Sequence, residues 1–213
     1  MKNKLITSIG CLLLTAGFAM ADAMLSFNDG LGTPNAGSYT PGQSFTFDIT
    51  LSVTNIGTDP VPDVSGLSYW FETSALNTGY FSITNRSLTG SPFNDPNTPG
   101  ITYPQAIVAG GNANDLGGTG ATQLTNANYF VATLTILINP STPPGTYTIF
   151  TTSFNSNPAD HSKTSEANDS SFARHNIPAA TYTITVVPEP ATWSLLALGG
   201  SLGLTLLRAR RRR

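Results

Sequence analysis

The sequence contains few charged residues, a single cysteine and two histidines. Only 10% of its 213 residues are charged, against roughly 25% in an average soluble domain. Most of the Lys and Arg residues stand at the two ends, so residues 22–187 hold three of them against 11 Asp or Glu and carry a formal charge of −8. An acidic segment without a basic patch repels phosphate groups. We therefore expect no nucleic-acid partner, and the composition argues against a typical cytosolic enzyme.

The only cysteine, Cys11, lies inside an uncharged N-terminal stretch. Two lysines precede an uncharged run from residue 5 to residue 18, and Ala19 and Ala21 supply the small residues that a signal peptidase reads. As a helix this run would rise about 21 Å, short of a hydrocarbon core of about 30 Å. We interpret residues 1–21 as a cleaved export signal, with an N-terminal membrane anchor as the alternative. After cleavage no thiol remains for disulfides, nucleophilic catalysis or thiolate metal binding.

A second uncharged run lies near the C-terminus. Pro188, Glu189 and Pro190 come first, and the uncharged residues 191–207 would span about 25 Å as a helix. The basic tail 208–213 follows, with arginines at Arg208, Arg210, Arg211, Arg212 and Arg213. Because positive residues favour the cytoplasmic side of a membrane, we expect a transmembrane helix with the preceding domain outside. The two prolines interrupt regular structure and leave Glu189 accessible to a protease.

This order of motif, apolar helix and basic tail resembles the PEP-CTERM sorting signal of Gram-negative bacteria. The resemblance covers residues 188–213. It implies that an exosortase, a membrane-embedded cysteine peptidase, cuts near the Pro-Glu-Pro motif and passes the domain to the cell surface or extracellular matrix, typically in bacteria that make exopolysaccharide. The implied partners are signal peptidase, exosortase, the inner membrane and exopolysaccharide. The alternative is a C-terminal anchor that is never processed.

Residues 22–187 show the alternation of apolar and polar side chains that is typical of strands. The pattern of Ser44–Val53 predicts a strand with one solvent-exposed face. The pattern of Tyr129–Ile138 predicts a central strand that is covered on both faces. We expect the second to form a long-looped hairpin with Thr146–Phe154. Shorter strands are predicted at Ala23–Phe27, Leu67–Glu72, Tyr80–Thr84, Ile101–Val108 and Tyr182–Val187.

These strands predict a single antiparallel β-sandwich, either immunoglobulin-like or cohesin-like, or a jelly roll. No segment between residues 22 and 187 has a convincing helical period. The stretches Tyr39–Phe47 and Gly66–Phe71 are similar to the first strands of cohesin-like extracellular sandwiches. That similarity is too generic to imply a function.

Few residues suggest chemistry. His161 and His175 fall in a predicted loop, 155–178, where we interpret them as solvated because no serine nearby has the setting of a nucleophile. Four carboxylates could pair for glycoside hydrolysis if the fold brought them together, although their spacing does not indicate it; they are Glu72, Asp95, Asp115 and Glu166.

Two binding sites remain as hypotheses. Asn112, Asn114 and Asp115 follow two glycines and offer oxygen ligands for calcium, the alternative being a plain Gly/Asn turn. Trp70 is the only Trp before the C-terminal run and would be the exposed ring of its strand if Tyr69 and Phe71 face inward, which suits glycan contact; core packing is the alternative.

The sequence thus predicts an exported surface or matrix protein with a structural or adhesive role, no catalytic residues and no cofactor. It is expected to be held in the inner membrane only until its C-terminal signal is processed. The competing hypothesis is a secreted protein that binds or hydrolyses glycans and carries the same sorting signal.

Overall fold

The computed structural model describes residues 23–30, 35–54, 64–95, 100–120, 127–153 and 162–189. The predicted export signal with Ala19 and Ala21, the helix 191–207 and the tail 208–213 lie outside them, as do Pro190 and His161. Within the described part, no helix has the length and apolarity needed to cross a membrane.

The described chain is built of strands and one short 3₁₀ turn, Ala75–Asn77. The strands are β1 Ala23–Asn28, β2 Ala36–Tyr39, β3 Ser44–Val53, β4 Gly66–Ser68, β5 Phe71–Thr73, β6 Phe81–Ser87, β7 Gln105–Ala106, β8 Gly118–Thr119, β9 Ala127–Ile138, β10 Gly145–Thr151, β11 Glu166–Asn168, β12 Arg174–Asn176 and β13 Thr181–Val186. The all-β prediction is confirmed.

The first sheet has the strand order β1-β3-β9-β6-β7, and every neighbouring pair in it is antiparallel. β3 has the predicted bounds and alternates buried Phe45, Phe47, Ile49, Leu51 and Val53 with polar residues that are exposed or half-buried. β9 is central, as predicted, but the face opposite the core is only half-buried. Its pairing with β3 shifts between Ile49 and Thr50. A β-bulge of this kind leaves one residue unpaired, and two successive residues of β9, Val131 and Ala132, are buried there.

The second sheet, β2-β13-β10-β5, faces the first across an aromatic core. The Phe27 ring lies 5.4 Å from the Phe71 ring, and the Phe47 ring lies 4.9 Å from that of Tyr182, so residues of both sheets interdigitate. Each fully buried aromatic contributes about 1.5 to 3 kcal/mol through removal of apolar surface from water. One pair in this sheet, β2 with β13, is parallel, which the antiparallel prediction did not include.

A third sheet consists of short strands in the order β12-β11-β4-β8. Three of its strands were not predicted, because two or three residues are too few to show a period of two. β11 and β12 form a hairpin inside the predicted loop 155–178, so that part of the loop prediction is wrong. The predicted strand Leu67–Glu72 is two strands interrupted at Tyr69 and Trp70, and Ile101–Val108 is reduced to the two residues of β7.

The predicted hairpin of β9 with β10 is also wrong. β9 belongs to the first sheet and β10 to the second, so residues 139–144 cross from one layer to the other. The crossing is held by Thr142, which donates its backbone N–H to Asn139 O at 2.9 Å and its hydroxyl to Tyr80 O at 3.2 Å. A Pro-rich break ends a strand equally well in either topology.

Candidate functional site

Trp70 lies at the break between β4 and β5. Its neighbours Tyr69 and Phe71 are fully buried, whereas the Trp70 ring is half-buried and belongs to the outward side of this stretch. Its carbonyl accepts a hydrogen bond from Thr152 N at 3.0 Å. A half-buried aromatic side chain can pack against a ligand. Glycan contact at Trp70 stays a prediction.

The predicted calcium ligands are used for hydrogen bonds within the chain. Asn112 is completely buried: its Oδ1 accepts from Phe71 N at 2.7 Å, and its Nδ2 donates to Gln105 Oε1 and Asn114 O, each at 2.7 Å. Asn112 N also donates to Phe71 O at 2.9 Å. Asn112 therefore occupies the place of a neighbouring strand along the edge of β5. Asn112 Oδ1 and Asp115 Oδ1 thus already accept hydrogen bonds from backbone N–H groups. The calcium hypothesis stays a prediction.

Asp115, in the same loop, also accepts hydrogen bonds from backbone N–H groups. Its Oδ1 accepts from Tyr69 N at 3.0 Å and Gly117 N at 2.8 Å. Burial raises the pKa of the Asp115 carboxyl, opposed by these hydrogen bonds, by one from Ser68 and by the charge of Arg86. A Cβ on Gly117 would lie 1.8 Å from Leu67 O, so only glycine permits this close approach of the loop to β4.

Two of the other three carboxylates proposed for glycoside hydrolysis have separate partners. Glu72 accepts a hydrogen bond from Gly110 N at 2.9 Å, and Glu166 pairs with Arg174 across the β11–β12 hairpin. In the described ranges, no group of three or more His, Cys, Asp or Glu side chains could hold a metal ion.

His175 is not the solvated loop residue that the sequence suggested. It lies in β12, is 6% exposed, and its Nε2 is 3.1 Å from Asp169 Oδ2. Asp169 Oδ1 accepts from Ser171 N, Ser171 Oγ and Ala173 N at 2.7 to 2.8 Å. Burial opposes ionisation of Asp169, but the hydrogen bonds from Ser171, His175 and Ala173 outweigh it and lower its pKa to about 2. The charged carboxylate therefore organises the turn of this hairpin.

A second buried polar cluster joins the first strand to the last and was not predicted. Asp29 Oδ2 lies 2.9 Å from the hydroxyl of Tyr39 and 2.7 Å from that of Tyr182, and the two hydroxyl oxygens are 2.7 Å apart. Burial and the Asp29 carboxylate raise the pKa of Tyr39 to about 12, despite the opposing hydrogen bond from Tyr182. The pKa of Tyr182 is raised too, by burial first and then by Tyr39 and Asp29. Both phenols stay neutral, and because each has one proton, their two O–H donors are shared among the three contacts with each other and with the carboxylate.

A cleft of about 470 Å³ lies beside β7, and we call it the β7 cleft. Its walls include apolar side chains of Pro104, Val108 and Ala113. Gln105 and Lys163 supply nitrogen donors. A volume of this size is in the range of small-ligand and peptide sites.

Comparisons with known proteins identify the class of fold. No family model matches the chain, and no curated protein matches it. Solved structures do: the module CaCohA2 from Clostridium acetobutylicum has a TM-score of 0.51 and 16% identity over 78% of this chain and 92% of its own. The same module in a crystal structure with CaDoc0917 has a TM-score of 0.50 and 16% identity over 78% of this chain and 99% of its own.

The chain is therefore an all-β sandwich similar to cohesin modules. Of the sandwich types left open by the sequence, the cohesin-like one is the type that these structures match. At this identity the likeness concerns the fold.

Proposed function

We propose that this protein is an exported, non-catalytic binding module of the bacterial cell surface or extracellular matrix, whose partner is another protein. The observation that carries the proposal is the cohesin-like fold, because its structural neighbour is described in complex with a second protein, CaDoc0917.

The use of ionisable groups in the described residues supports a binding role over catalysis. Asp29, Asp115 and Asp169 each bond to side chains or backbone groups that hold strands together. Catalytic acids and bases need a position from which they reach a substrate. The outward faces of the sheets instead carry threonine and serine, as at Thr46, which pairs with Thr135, and such faces can bind a partner with little desolvation of charge.

Delivery by the C-terminal signal is part of the same proposal. The last backbone hydrogen bond of the described domain is donated by Val187 N to Tyr39 O at 2.8 Å, and the exposed Glu189 follows beyond the sheet. A peptidase could cut at the Pro-Glu-Pro motif without removing any residue of the sandwich. The proposed partners of this route are signal peptidase and exosortase, the inner membrane during transit, and exopolysaccharide around the released protein.

Delivery is tested by the intact mass of the protein recovered from its native cells and medium, with both end residues defined by mass spectrometry. A chain that begins near Asp22 and ends near Pro190 supports cleavage of both signals. A chain that still ends at Arg213 overturns sorting and leaves a membrane-anchored domain.

Binding is tested separately with domain 22–190 immobilised and exposed to surface proteins and to polysaccharides from the same cells, in parallel. Saturable capture of a protein that also co-purifies from cross-linked intact cells supports the proposal. Capture of polysaccharide alone would contradict it.

The half-buried Trp70 supports one second candidate, a glycan-binding module with the same sorting signal. Glycan binding there should quench the Trp70 fluorescence of domain 22–190, in which it is the only Trp. The variant Trp70→Phe keeps an aromatic ring but lacks Trp emission, so it is compared with the wild type by co-sedimentation with the polysaccharide. An unchanged emission spectrum across a panel of acidic and neutral polysaccharides would remove this candidate.

A further inference from the structure

The β7 cleft has the charge of a site for an anionic group. Lys163 is the only charged residue among the described residues that line it, in a domain of formal charge −8. Its Nζ donates to Gly111 O at 2.6 Å. An ammonium group has three protons to donate, so this contact positions Lys163 at the cleft and leaves donors for a ligand.

Gln105 adds a buried donor at the same cleft. Its Oε1 accepts from Asn112 Nδ2 at 2.7 Å and from Asn114 N at 2.9 Å, which fixes the orientation of the amide. Gln105 is 3% exposed, and within the described residues its Nε2 has no hydrogen-bond acceptor. Buried donors of this kind are rare and costly in folded proteins. An acceptor oxygen bound in the cleft would satisfy this group.

The backbone of β7 offers a third, independent feature. Among the described strands β7 pairs only with β6, in the register Ser82 to Ala106, and Ile107 N donates to Phe81 O at 3.0 Å. This pattern makes Ala106 and Ser82 a non-hydrogen-bonded pair, so the N–H and C=O of Ala106 point away from β6. Ala106 is exposed and lines the cleft. An edge residue with outward backbone groups can pair with an added extended chain.

We propose that the β7 cleft binds an extended acidic peptide segment of a partner protein. The peptide backbone pairs with Ala106, and an Asp or Glu carboxylate contacts Lys163, with Gln105 as a further donor. A peptide fits better than a carboxylated sugar because the outward N–H and C=O of Ala106 match a peptide backbone, and no aromatic side chain is among the described residues that line the cleft. This inference rests on the proposed protein-binding function and gives it a site and a partner chemistry.

The test uses domain 22–190 and a fluorescein-labelled, end-blocked peptide, Thr-Glu-Val-Glu-Thr, with Thr-Gln-Val-Gln-Thr as the matched neutral ligand. Fluorescence anisotropy should show binding of the first peptide that weakens with added salt, and about fivefold weaker binding of the neutral one. Lys163→Gln keeps a donor for Gly111 O but removes the charge, and should weaken the acidic peptide about fivefold while leaving the neutral one unchanged. Lys163→Arg keeps the charge and should retain most of the difference in affinity between the acidic and the neutral peptide.

Ala106→Pro tests the edge contact, because it removes an outward N–H without removing a bond to β6. It should weaken both peptides alike at an unchanged melting temperature. Equal binding of the two peptides, or no effect of Lys163→Gln, would overturn the proposal. Tighter, Lys163-dependent binding of oligogalacturonate would assign the cleft to a carboxylated glycan instead. If Lys163→Gln captures a surface protein as tightly as the wild type does, the cleft assignment fails and the proposed function stands; if the wild type captures none, the proposed function fails.

Discussion

Replacing Asn112 separates a structural role from a calcium site. The side chain makes three hydrogen bonds of 2.7 Å from a fully buried position, to Phe71 N, Gln105 Oε1 and Asn114 O. At about 1 kcal/mol for each bond, with a further penalty for the buried Phe71 N–H left without an acceptor, Asn112→Ala should lower the free energy of unfolding by about 3 to 4 kcal/mol. The free energy of unfolding of a domain is only about 5 to 15 kcal/mol in total, so this loss is large.

The variant Asn112→Asp makes the distinction sharper. The carboxylate keeps an acceptor for Phe71 N but places negative oxygen against Gln105 Oε1 and Asn114 O, where the amide had donated. At neutral pH it should therefore destabilise the domain by about 2 kcal/mol or more. If Asn112 were a calcium ligand, the added charge would instead tighten calcium binding, and calcium would restore stability.

The assay is urea denaturation of domain 22–190 followed by intrinsic fluorescence, once with EDTA and once with millimolar calcium. Asn114→Ala is the matched control: its exposed side chain makes no hydrogen bond within the described residues, and it should change stability by less than about 0.5 kcal/mol. A loss below about 1 kcal/mol for Asn112→Ala would refute the structural argument. So would stabilisation of the wild type by calcium that grows in Asn112→Asp.

Three further predictions follow from other contacts. A Cβ on Gly37 would lie 2.1 Å from the Tyr39 hydroxyl, so Gly37→Ala should displace that hydroxyl and cost about 2 kcal/mol in urea denaturation, whereas Gly100→Ala, with open space around it, should be near neutral. The Asp169 pKa of about 2 lies below its ordinary value of 3.8, so the stability that the charged carboxylate adds is complete above about pH 4 and is lost as pH falls towards 2. Between pH 5 and pH 2 the free energy of unfolding should therefore fall by about 2 kcal/mol less in Asp169→Asn than in the wild type. An equal fall in both proteins would contradict this. A chain cut after Pro190 should melt at the same temperature as the uncut chain in the same mild detergent, because the last sheet hydrogen bond lies three residues upstream; a lower midpoint would mean that the tail stabilises the sandwich.

Long strands in this protein are predictable because each repeats its signal. The apolar residues of β3 return every second position for ten residues, and the structure buries every one of them. The strand pairing is not predictable in the same way. The break after Ile138 contains three prolines and a glycine, which end a strand without specifying whether the chain folds back or crosses to the other sheet. The prediction of which strand face is buried was therefore correct, whereas the prediction of a β9–β10 hairpin was wrong.

The polar clusters had no local signal. Tyr39 and Tyr182 are 143 positions apart, and each reads in the sequence as an ordinary strand aromatic. Their meeting at Asp29 depends on β2 running parallel to β13, a pairing that no alternation pattern encodes. Burial of a hydroxyl pair would be costly without an acceptor, so the carboxylate at residue 29 is understandable only after the strands have been placed.

The hydrogen bonding of the Asn112 loop has a general physical cause. A sharp turn rich in glycine and asparagine offers oxygens, and both a metal ion and an orphaned backbone N–H require oxygens. What decides between them is the neighbour across space: β5 spans only three residues, so the N–H of Phe71 needs an acceptor that a regular strand would have supplied. Asn112, 41 positions away, supplies it. In the same manner, Asp115 provides an acceptor for the N–H of Tyr69, and Asp169 provides one for the N–H of Ala173. In a chain with so few charges, these carboxyl and amide oxygens substitute for missing strand neighbours, which is why residues that suggest chemistry in the sequence hold the edges of the sandwich in the structure.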